Sequence, residues 1–286
     1  MEKIAIISDV NAGLDYIGKD ARIPVLRSVI NFKDQHLVDG VEITATEFYD
    51  RLQKEHYIPS TSAPTVGEAM DLLDQLIKEG YTDAIMYSIS YELSSIGQMV
   101  ETLKEEYQDK INIFVVNTKT ATYMQGYLAV VAKEMAEVGK SVEEILAYSN
   151  YLIDHSHAYF VVDDLNYLVK NGRISGAAGF LGGLLKIKPV LEMTKQGKII
   201  SFEKVKTHRK AVERVVDLIL DEIKDAKKIK LFIFHTVRED AAKELAKFFD
   251  AKIQIDKSIE IHMATPAVGA HIGCGIIGVG YYILEK

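Results

Sequence analysis

Residues 84–116 read AIMYSISYELSSIGQMVETLKEEYQDKINIFVV, and this stretch decides the fold. Two short apolar runs, Ala84–Tyr87 and Ile111–Val116, flank a longer amphipathic segment at Ser95–Tyr107. Uninterrupted apolar runs of this length predict buried strands, and apolar residues three and four apart predict a helix between them. A strand, a helix and a strand in succession indicate a parallel sheet with helices packed on its faces.

The same alternation continues on both sides of this unit. It predicts a strand at Ile4–Ser8 and helices at Val66–Glu79, Thr122–Glu137 and Ser141–His157. Beyond this point the pattern changes to paired strands, and the predicted elements are strands at Tyr159–Val162, Lys188–Met193, Ile199–Val205, Ile229–His235, Ile259–Met263 and Ile276–Leu284, with helices at His208–Ile223 and Glu239–Phe249. We therefore predict two α/β domains: residues 1–154 with a mostly parallel sheet, and residues 155–286 with a mixed sheet.

Length and charge restrict the classes of function. The chain has 286 residues, which fits two domains of about 150 residues each. Its net charge is −7, so the chain has no overall electrostatic reason to bind nucleic acid or an anionic membrane. A single cysteine, Cys274, rules out an internal disulfide and a cysteine-based zinc site, which favours the cytoplasm.

One uncharged segment, Ile261–Leu284, could imitate a membrane span. It contains Pro266, two histidines and several glycines, so we predict two buried strands joined by a glycine-rich turn. The first apolar run of the chain ends at Asp9 and is too short for a secretory signal. Both observations favour a cytoplasmic protein without membrane insertion.

Polar residues follow the predicted parallel strands. Ser8-Asp9, Ser88, Ser90 and Asn117-Thr118-Lys119 all lie at carboxyl ends of strands, and ligands bind at that edge of open α/β sheets. Taken singly, the same residue types form turns and cap helices. Their shared position favours a ligand site.

Two clusters of hydroxyl groups precede predicted helices. The first is Pro59–Thr65, which contains Thr61 and Ser62, and the second is Ser94-Ser95. Hydroxyls beside the free N–H groups of a helix start can bind a carboxylate or a phosphate. Taken alone, each cluster is explained better by simple helix capping.

The segment Ile174–Leu185 is uncharged and contains four glycines among bulky apolar residues. Glycine costs about 1 kcal/mol per helical position, so its presence indicates either close approach of an apolar ligand or tight packing of helix on sheet. Lys170 and Arg173 lie in the turn before this segment.

His271 lies in an apolar, glycine-flanked stretch near the end of the chain. No second histidine or carboxylate stands at metal-ligand spacing from it, so we predict no metal. The sequence also lacks a Gly-x-Ser-x-Gly elbow and a phosphate-binding Gly-x-x-x-x-Gly-Lys-Ser/Thr loop.

Taken together, these segments resemble the DegV family, whose fatty-acid-binding members are the substrate-carrying subunits of bacterial fatty-acid kinase. The likeness covers Ile4–Leu284. It rests on nine short motifs in the family's order: Ser8-Asp9, Thr61-Ser62-Ala63-Pro64, Ser90 with Leu93-Ser94, Thr118-Lys119, Asn171-Gly172-Arg173-Ile174, Lys188-Pro189, Glu203-Lys204-Val205-Lys206-Thr207, His235, and Gly269–Gly275.

The resemblance implies that one long-chain fatty acid is bound, with its tail in the C-terminal domain and its carboxylate at the domain junction. The positions that match the family's carboxylate-binding residues are Thr61, Ser62, Ser94 and His271, and Arg173 matches an arginine on the rim that faces the kinase. The family members are not enzymes on their own, because the kinase partner supplies ATP and Mg²⁺. Departures from the usual family residues, at Ser95-Ile96, Asn171, Thr265 and Cys274, leave the acyl-chain preference open.

A second hypothesis comes from another functional class. Ser94 or Ser62 with His271 could form the nucleophile and base of an esterase or thioesterase. Such a triad needs an acid to orient the histidine, and no Asp or Glu occurs in Met263–Leu284 to supply it locally.

Overall fold

The computed structural model describes residues 3–17, 21–55, 57–176 and 188–286. The glycine-rich segment Ile174–Leu185 lies outside the described residues from residue 177 onward. The strands are β1 (Ile4–Asp9), β2 (Val25–Leu26), β3 (Val29–Asn31), β4 (His36–Val38), β5 (Ser60–Ser62), β6 (Asp83–Ser88), β7 (Asn112–Asn117), β8 (Ser156–Val161), β9 (Val190–Met193), β10 (Ile199–Glu203), β11 (Lys228–His235), β12 (Asp256–Met263) and β13 (Ile277–Glu285). The helices are α1 (Ala45–Glu55), α2 (Val66–Lys78), α3 (Ile96–Glu101), α4 (Lys104–Tyr107), α5 (Thr122–Glu137), α6 (Val142–Asp154), α7 (Asn166–Lys170), α8 (His208–Glu222), α9 (Glu239–Lys252) and α10 (Pro266–Ile272).

The first sheet is parallel, with strand order β2-β1-β6-β7. Helices α2 and α3 pack on one face of it and α5 packs on the other, so β1 and β6 are buried on both sides. This double coverage explains their continuous apolar sequence. Helix α2 begins at a capping box, in which Thr65 and Glu68 satisfy each other's backbone N–H groups.

The second sheet has six strands in the order β10-β9-β8-β13-β11-β12. Only β11 and β12 are parallel in it; the remaining neighbours are antiparallel. Helices α8 and α9 cover its outer face. The prediction of two α/β domains, one with a mostly parallel sheet and one with a mixed sheet, is confirmed.

Helices α5 and α6 form a layer between the two sheets. Their buried residues share one apolar cluster with Ile6 and Ile85 of the first sheet and Phe232 and Tyr282 of the second. The Tyr282 hydroxyl donates to the carbonyl of Met124 on α5 at 3.1 Å. Each large apolar side chain buried here contributes about 1.5–3 kcal/mol to the free energy of unfolding, so this layer stabilises the packing of the two sheets.

A hairpin of the second sheet also contacts the first. The Ser90 hydroxyl, just beyond β6, donates to the carbonyl of Gly197 in the β9–β10 turn at 2.8 Å. Gly197 has a φ of 84°, and a Cβ atom there would collide with the Ser90 hydroxyl. Only glycine fits this docking point without strain.

A small antiparallel sheet, β4-β3-β5, packs with α1 and α10 around a separate apolar cluster. The sequence analysis did not predict this sheet or α1. Its strands have only three residues each, which is too short for a pattern to be visible.

Two predictions about helices were wrong. The predicted helix Ser95–Tyr107 is interrupted, because α3 ends at Glu101 and α4 begins at Lys104. The stretch predicted as two strands joined by a glycine-rich turn contains α10 between the strands, and only its Gly273 and Gly275 form the turn before β13. The pair Thr265-Pro266, an N-cap followed by proline at the first helical position, was the signal for this helix.

A polar cluster lies under α8 on the outer side of the second sheet. His157 is bonded to two carboxylates, with Nδ1 at 3.0 Å from Glu222 Oε1 and Nε2 at 2.9 Å from Glu192 Oε1. Tyr159 and Tyr281 also donate to Glu222. Burial lowers the pKa of His157, but the bonds to Glu222 and Glu192 outweigh it and the pKa rises above 6.5. Burial raises the pKa of Glu222, but the hydrogen bonds from His157 and the two tyrosines lower it more, so that it lies below 4.5.

This cluster predicts a pH-dependent stability. Its contribution is fully present between the ordinary pKa values of 4.5 and 6.5. It is lost as pH rises through the raised pKa of His157, and as pH falls through the lowered pKa of Glu222. His157→Gln should therefore reduce the free energy of unfolding most at about pH 5.5 and progressively less toward alkaline pH. Urea unfolding across this range measures the difference.

His155→Gln is the matched control. Among the described residues, the side chain of His155 is hydrogen-bonded only to the carbonyl of Tyr151 and to no carboxylate. A loss for His157→Gln that stays constant with pH would contradict the role of the charged pair.

Candidate functional site

A cavity of about 330 Å³, the main cavity, lies where the carboxyl edge of the first sheet meets the second sheet. Ile89 and Thr120 line it from the first sheet, and Phe160 and Gly278 line it from the second. Its volume falls within the range of about 300–1,000 Å³ typical of small-molecule sites. The predicted placement of a site at this strand edge agrees with the geometry.

Most of the wall is apolar. Gly278 allows β13 to approach β8 closely, since a Cβ atom there would lie 2.8 Å from the Cβ of Phe160. The apolar lining comprises Ile89, Leu93, Met124, Phe160, Leu168, Met193, Ile199, Phe234, Val268, Ile272 and Ile276. Such a wall suits a long hydrocarbon group and offers it no polar partner.

Four of the predicted site residues line this cavity together: Thr61, Ser94, Arg173 and His271. Thr61 Oγ1 lies 2.8 Å from His271 Nε2, although the two residues are 210 positions apart. The Ser94 hydroxyl makes no hydrogen bond to any other described residue, so it is free to serve a ligand. These groups come from β5, the loop before α3, the turn after α7, and α10.

Ser62 is the exception among the predicted carboxylate ligands. In strand β5 neighbouring side chains point to opposite faces, and Ser62 therefore faces away from Thr61. Its hydroxyl accepts a hydrogen bond from Asn31 Nδ2 at 2.9 Å, and Ser62 does not line the main cavity. We correct the prediction by leaving Ser62 out of the candidate site.

Arg173 is the only Lys, Arg, Asp or Glu among the described residues that line the main cavity. Its Nε donates to the carbonyl of Leu93 at 3.1 Å, and Nη1 donates to the carbonyl of Asn171 at 2.5 Å. Its Nη2 makes no bond within the described chain. A positive charge held in this way favours an anion beside it.

His271 is partly buried and is electrically neutral near pH 7. Burial, with the charge of Arg173 adding to it, lowers its pKa to about 4. Its Nδ1 is buried with no hydrogen-bond partner among the described residues. Because buried polar atoms are nearly always paired, this nitrogen indicates a missing partner such as a ligand.

Helix α10, which carries His271, is positioned by residues from the first part of the chain. The Asp39 carboxylate accepts the N–H of Ala267 in its first turn at 2.7 Å, and burial raises the pKa of Asp39 to about 7. The Tyr49 hydroxyl donates to the carbonyl of Ala264 at 3.0 Å. Asn171, one of the departures from the family pattern, donates to the carbonyl of Ala270 at 3.1 Å.

The match to known proteins agrees with this arrangement. The model of the DegV family of uncharacterised proteins matches residues 3–284. The DegV domain-containing protein YqaC of Lactococcus lactis is 35% identical over 248 residues, which are 85% of this chain and 87% of YqaC. The chain belongs to the DegV family.

Solved structures of this family resemble the chain over its full length. The fatty acid binding DegV family protein SAG1342 from Streptococcus agalactiae has a TM-score of 0.89 and 31% identity, covering 99% of both chains. DegV, a fatty acid binding protein from Bacillus subtilis, has a TM-score of 0.88 and 27% identity, covering 99% of this chain and 100% of its own. These relatives were crystallised as fatty-acid-binding proteins.

Some lining residues of this DegV chain were missed by the sequence analysis. Asn11 lines the main cavity because the buried Asp9 carboxylate accepts both its backbone and its side-chain N–H groups. Asp9 also accepts the N–H of Ile89 at 2.9 Å, which fixes two strand ends together. Asp9 therefore positions Asn11 and Ile89 in the wall of the cavity.

Within the described residues, no cluster of three or more His, Cys, Asp or Glu side chains could hold a metal ion. No helix of the described chain is both long and apolar enough to cross a bilayer. The uncharged segment Ile261–Leu284 consists instead of the end of β12, α10 and most of β13.

Proposed function

We propose that this chain binds one long-chain fatty acid and presents its carboxylate to a partner acyl kinase in the cytoplasm. The observation that carries the proposal is an apolar cavity that ends in unpaired polar groups and one positive charge. The tail lies along the apolar wall, the carboxylate lies at Thr61, Ser94 and His271, and Arg173 lies on the rim that faces the kinase. The division into residues 1–154 and 155–286 is part of this proposal, with the ligand at the junction.

The tail accounts for most of the binding energy. Each CH₂ group moved from water into the apolar cavity contributes about 0.8 kcal/mol, so a long chain is favoured strongly over a short one. Phe160, Phe234 and Val268 present apolar side chains to the cavity, which disfavours sugars, nucleotides and peptides along that part of the wall.

The head group needs donors, because an unpaired carboxylate in an apolar site is very costly. Ser94 offers a hydroxyl. The bond between Thr61 and the neutral His271 uses one proton of the pair, so in either tautomer one further O–H or N–H donor of the pair is left for the carboxylate. Charge-assisted bonds from these donors offset the loss of hydration.

The partner performs the chemistry. A carboxylate oxygen attacks the γ-phosphorus of ATP, the bond from that phosphorus to the ADP oxygen breaks, and an acyl phosphate forms. The sequence has no Gly-x-x-x-x-Gly-Lys-Ser/Thr loop to hold ATP, so the kinase must bring the nucleotide and its Mg²⁺. In this proposal the chain is a carrier and not an enzyme.

The esterase hypothesis is less well supported by the geometry. The Nε2 of His271 engages Thr61 and not a serine. The Nδ1, which an orienting carboxylate would hold in a catalytic triad, has no partner among the described residues. A neutral histidine with a pKa of about 4 is also a weak general base near pH 7.

Removing head-group donors tests the proposed carboxylate position. Ser94→Ala, Thr61→Ala and His271→Ala should each weaken fatty-acid binding by about 1–3 kcal/mol, because a buried charged acceptor loses a donor. Ser62→Ala is the matched control and should bind as the unaltered protein does, since Ser62 points away from the cavity. Calorimetric titration of the delipidated protein with hexadecanoic acid measures all four. Equal affinity in every variant would show that the carboxylate lies elsewhere.

Arg173 tests the hand-over to the kinase. Arg173→Ala should retain bound fatty acid, while acyl-phosphate formation with a fatty-acid kinase subunit and ATP falls by about tenfold or more, because the free Nη2 donor and the positive charge beside the transferred phosphoryl group are lost. Arg173→Lys should restore little, since one ammonium group cannot replace the bonds to the Leu93 and Asn171 carbonyls and also offer a donor at the position of Nη2. The assay compares proteins loaded to equal occupancy. Full activity of Arg173→Ala would remove the arginine from the hand-over step.

A further inference from the structure

A second cavity, of about 590 Å³, adjoins the main cavity. The two share four lining residues, Thr120, Met124, Ala158 and Met193. None of the proposed head-group residues lines the second cavity. It therefore joins the main cavity away from the carboxylate position, and we name it the distal chamber.

The character of the wall changes across this junction. The main cavity is mostly apolar, whereas the distal chamber is lined by Thr118, Lys119, Asp154, Ser156, His157, Thr194, Lys195 and Gln196 in addition to the shared residues and Ile153. A ligand that passes Met124 and Met193 thus moves from a hydrocarbon environment into a polar one. Methionine side chains are flexible and let a chain pass between them with little rearrangement.

Two exposed lysines line the distal chamber. Lys195 Nζ donates to the carbonyls of Asp154 and Ser156, and the carboxylates of Asp154 and Glu222 act on its charge. Lys119 Nζ has no hydrogen-bond or ion-pair partner among the described residues. The Lys119 ammonium group is therefore left for a ligand.

The placement of Lys119 is specific. Its φ is 54°, a left-handed backbone conformation that disfavours a lysine. The Lys119 Cα lies so close to Gly197 that a Cβ atom added to Gly197 would be only 3.1 Å from it. The docked β9–β10 hairpin thus fixes both Lys119 and Lys195 at the chamber. Burial lowers the pKa of Lys195, the charges of Glu222 and Asp154 raise it, and the charge of Lys119 lowers it. A charged or hydroxylated end of a ligand beside Lys119 could pair with its ammonium group.

We infer that the distal chamber receives the far end of the acyl ligand, and that this protein accepts long-chain acids whose far end carries oxygen, as an ω-hydroxyl or an ω-carboxylate. The inference rests on the proposed function and adds a substrate class to it. A closed apolar cavity rejects such acids strongly, because their polar end would be buried without a partner. Here the far end reaches threonine hydroxyls and two ammonium groups.

Binding of three acids tests the inference: hexadecanoic acid, ω-hydroxyhexadecanoic acid and hexadecanedioic acid. The unaltered protein should bind the two oxygenated acids within about tenfold of hexadecanoic acid. In the double variant Lys119→Met/Lys195→Met, the ratio of affinities for hexadecanedioic and hexadecanoic acid should fall by about tenfold, because the charge partners are gone. Lys198→Met is the control on the same hairpin. Lys198 pairs with Glu92 and does not line either cavity, so this variant should keep the ratio of the unaltered protein.

Three outcomes are decisive. Rejection of both oxygenated acids by more than about a hundredfold, with normal binding of hexadecanoic acid, would overturn the distal subsite and leave the proposed function standing. An unchanged ratio in the double variant would overturn the role of the lysines. Failure of all three acids to bind would overturn the proposed function itself, and the inference with it.

Discussion

The hydrogen bond between Thr61 and His271 is the contact on which the site depends, because it joins two segments that lie 210 positions apart in the chain. Thr61 is held by the small sheet, where it pairs with Ile30, and His271 is held by α10. Neither element alone encloses a ligand. The polar end of the main cavity exists only when the two meet.

Several supports act on α10 to make that meeting possible. Asp39 binds its first turn, Tyr49 binds the residue before its cap, and Thr265 caps it through the N–H of Val268. Two of these three groups come from the first 50 residues of the chain. A short helix would be marginal in isolation, so its position is a property of the assembled fold. The apolar layer of α5 and α6 then holds the two sheets at the distance that leaves the cavity open between them.

The sequence was informative where a pattern extends over many residues. Helix α5 begins and ends where its periodicity predicts, at Thr122 and Glu137. No end of the buried strands β1, β6 and β7 differs from the prediction by more than one residue. The small sheet and the break between α3 and α4 were missed, since short elements are decided by tertiary packing and not by local pattern. Helix α1 was also missed, although Phe48, Tyr49 and Leu52 have helical spacing. The resemblance to the DegV family supplied the site residues, and the structure brings four of the five together.

Ser62 shows why the fifth could not be resolved from sequence. Two adjacent hydroxyl residues in a strand must face opposite sides, and only the register of β5 against β3 decides which one faces the cavity. The distal chamber is a further example. Lys119 and Lys195 are far apart in the chain, and the docking of Gly197 on Ser90 brings them to one cavity.

Native mass spectrometry of the freshly purified protein tests whether one fatty acid is bound per chain. We expect one added mass per chain, which equals that of a long-chain fatty acid and which organic extraction removes. After extraction, added hexadecanoic acid should restore that mass and raise the melting temperature, as expected of a ligand that binds only the folded state. A protein of unmodified mass, whose melting temperature does not change when the fatty acid is added, would show that the chain does not bind a long-chain fatty acid.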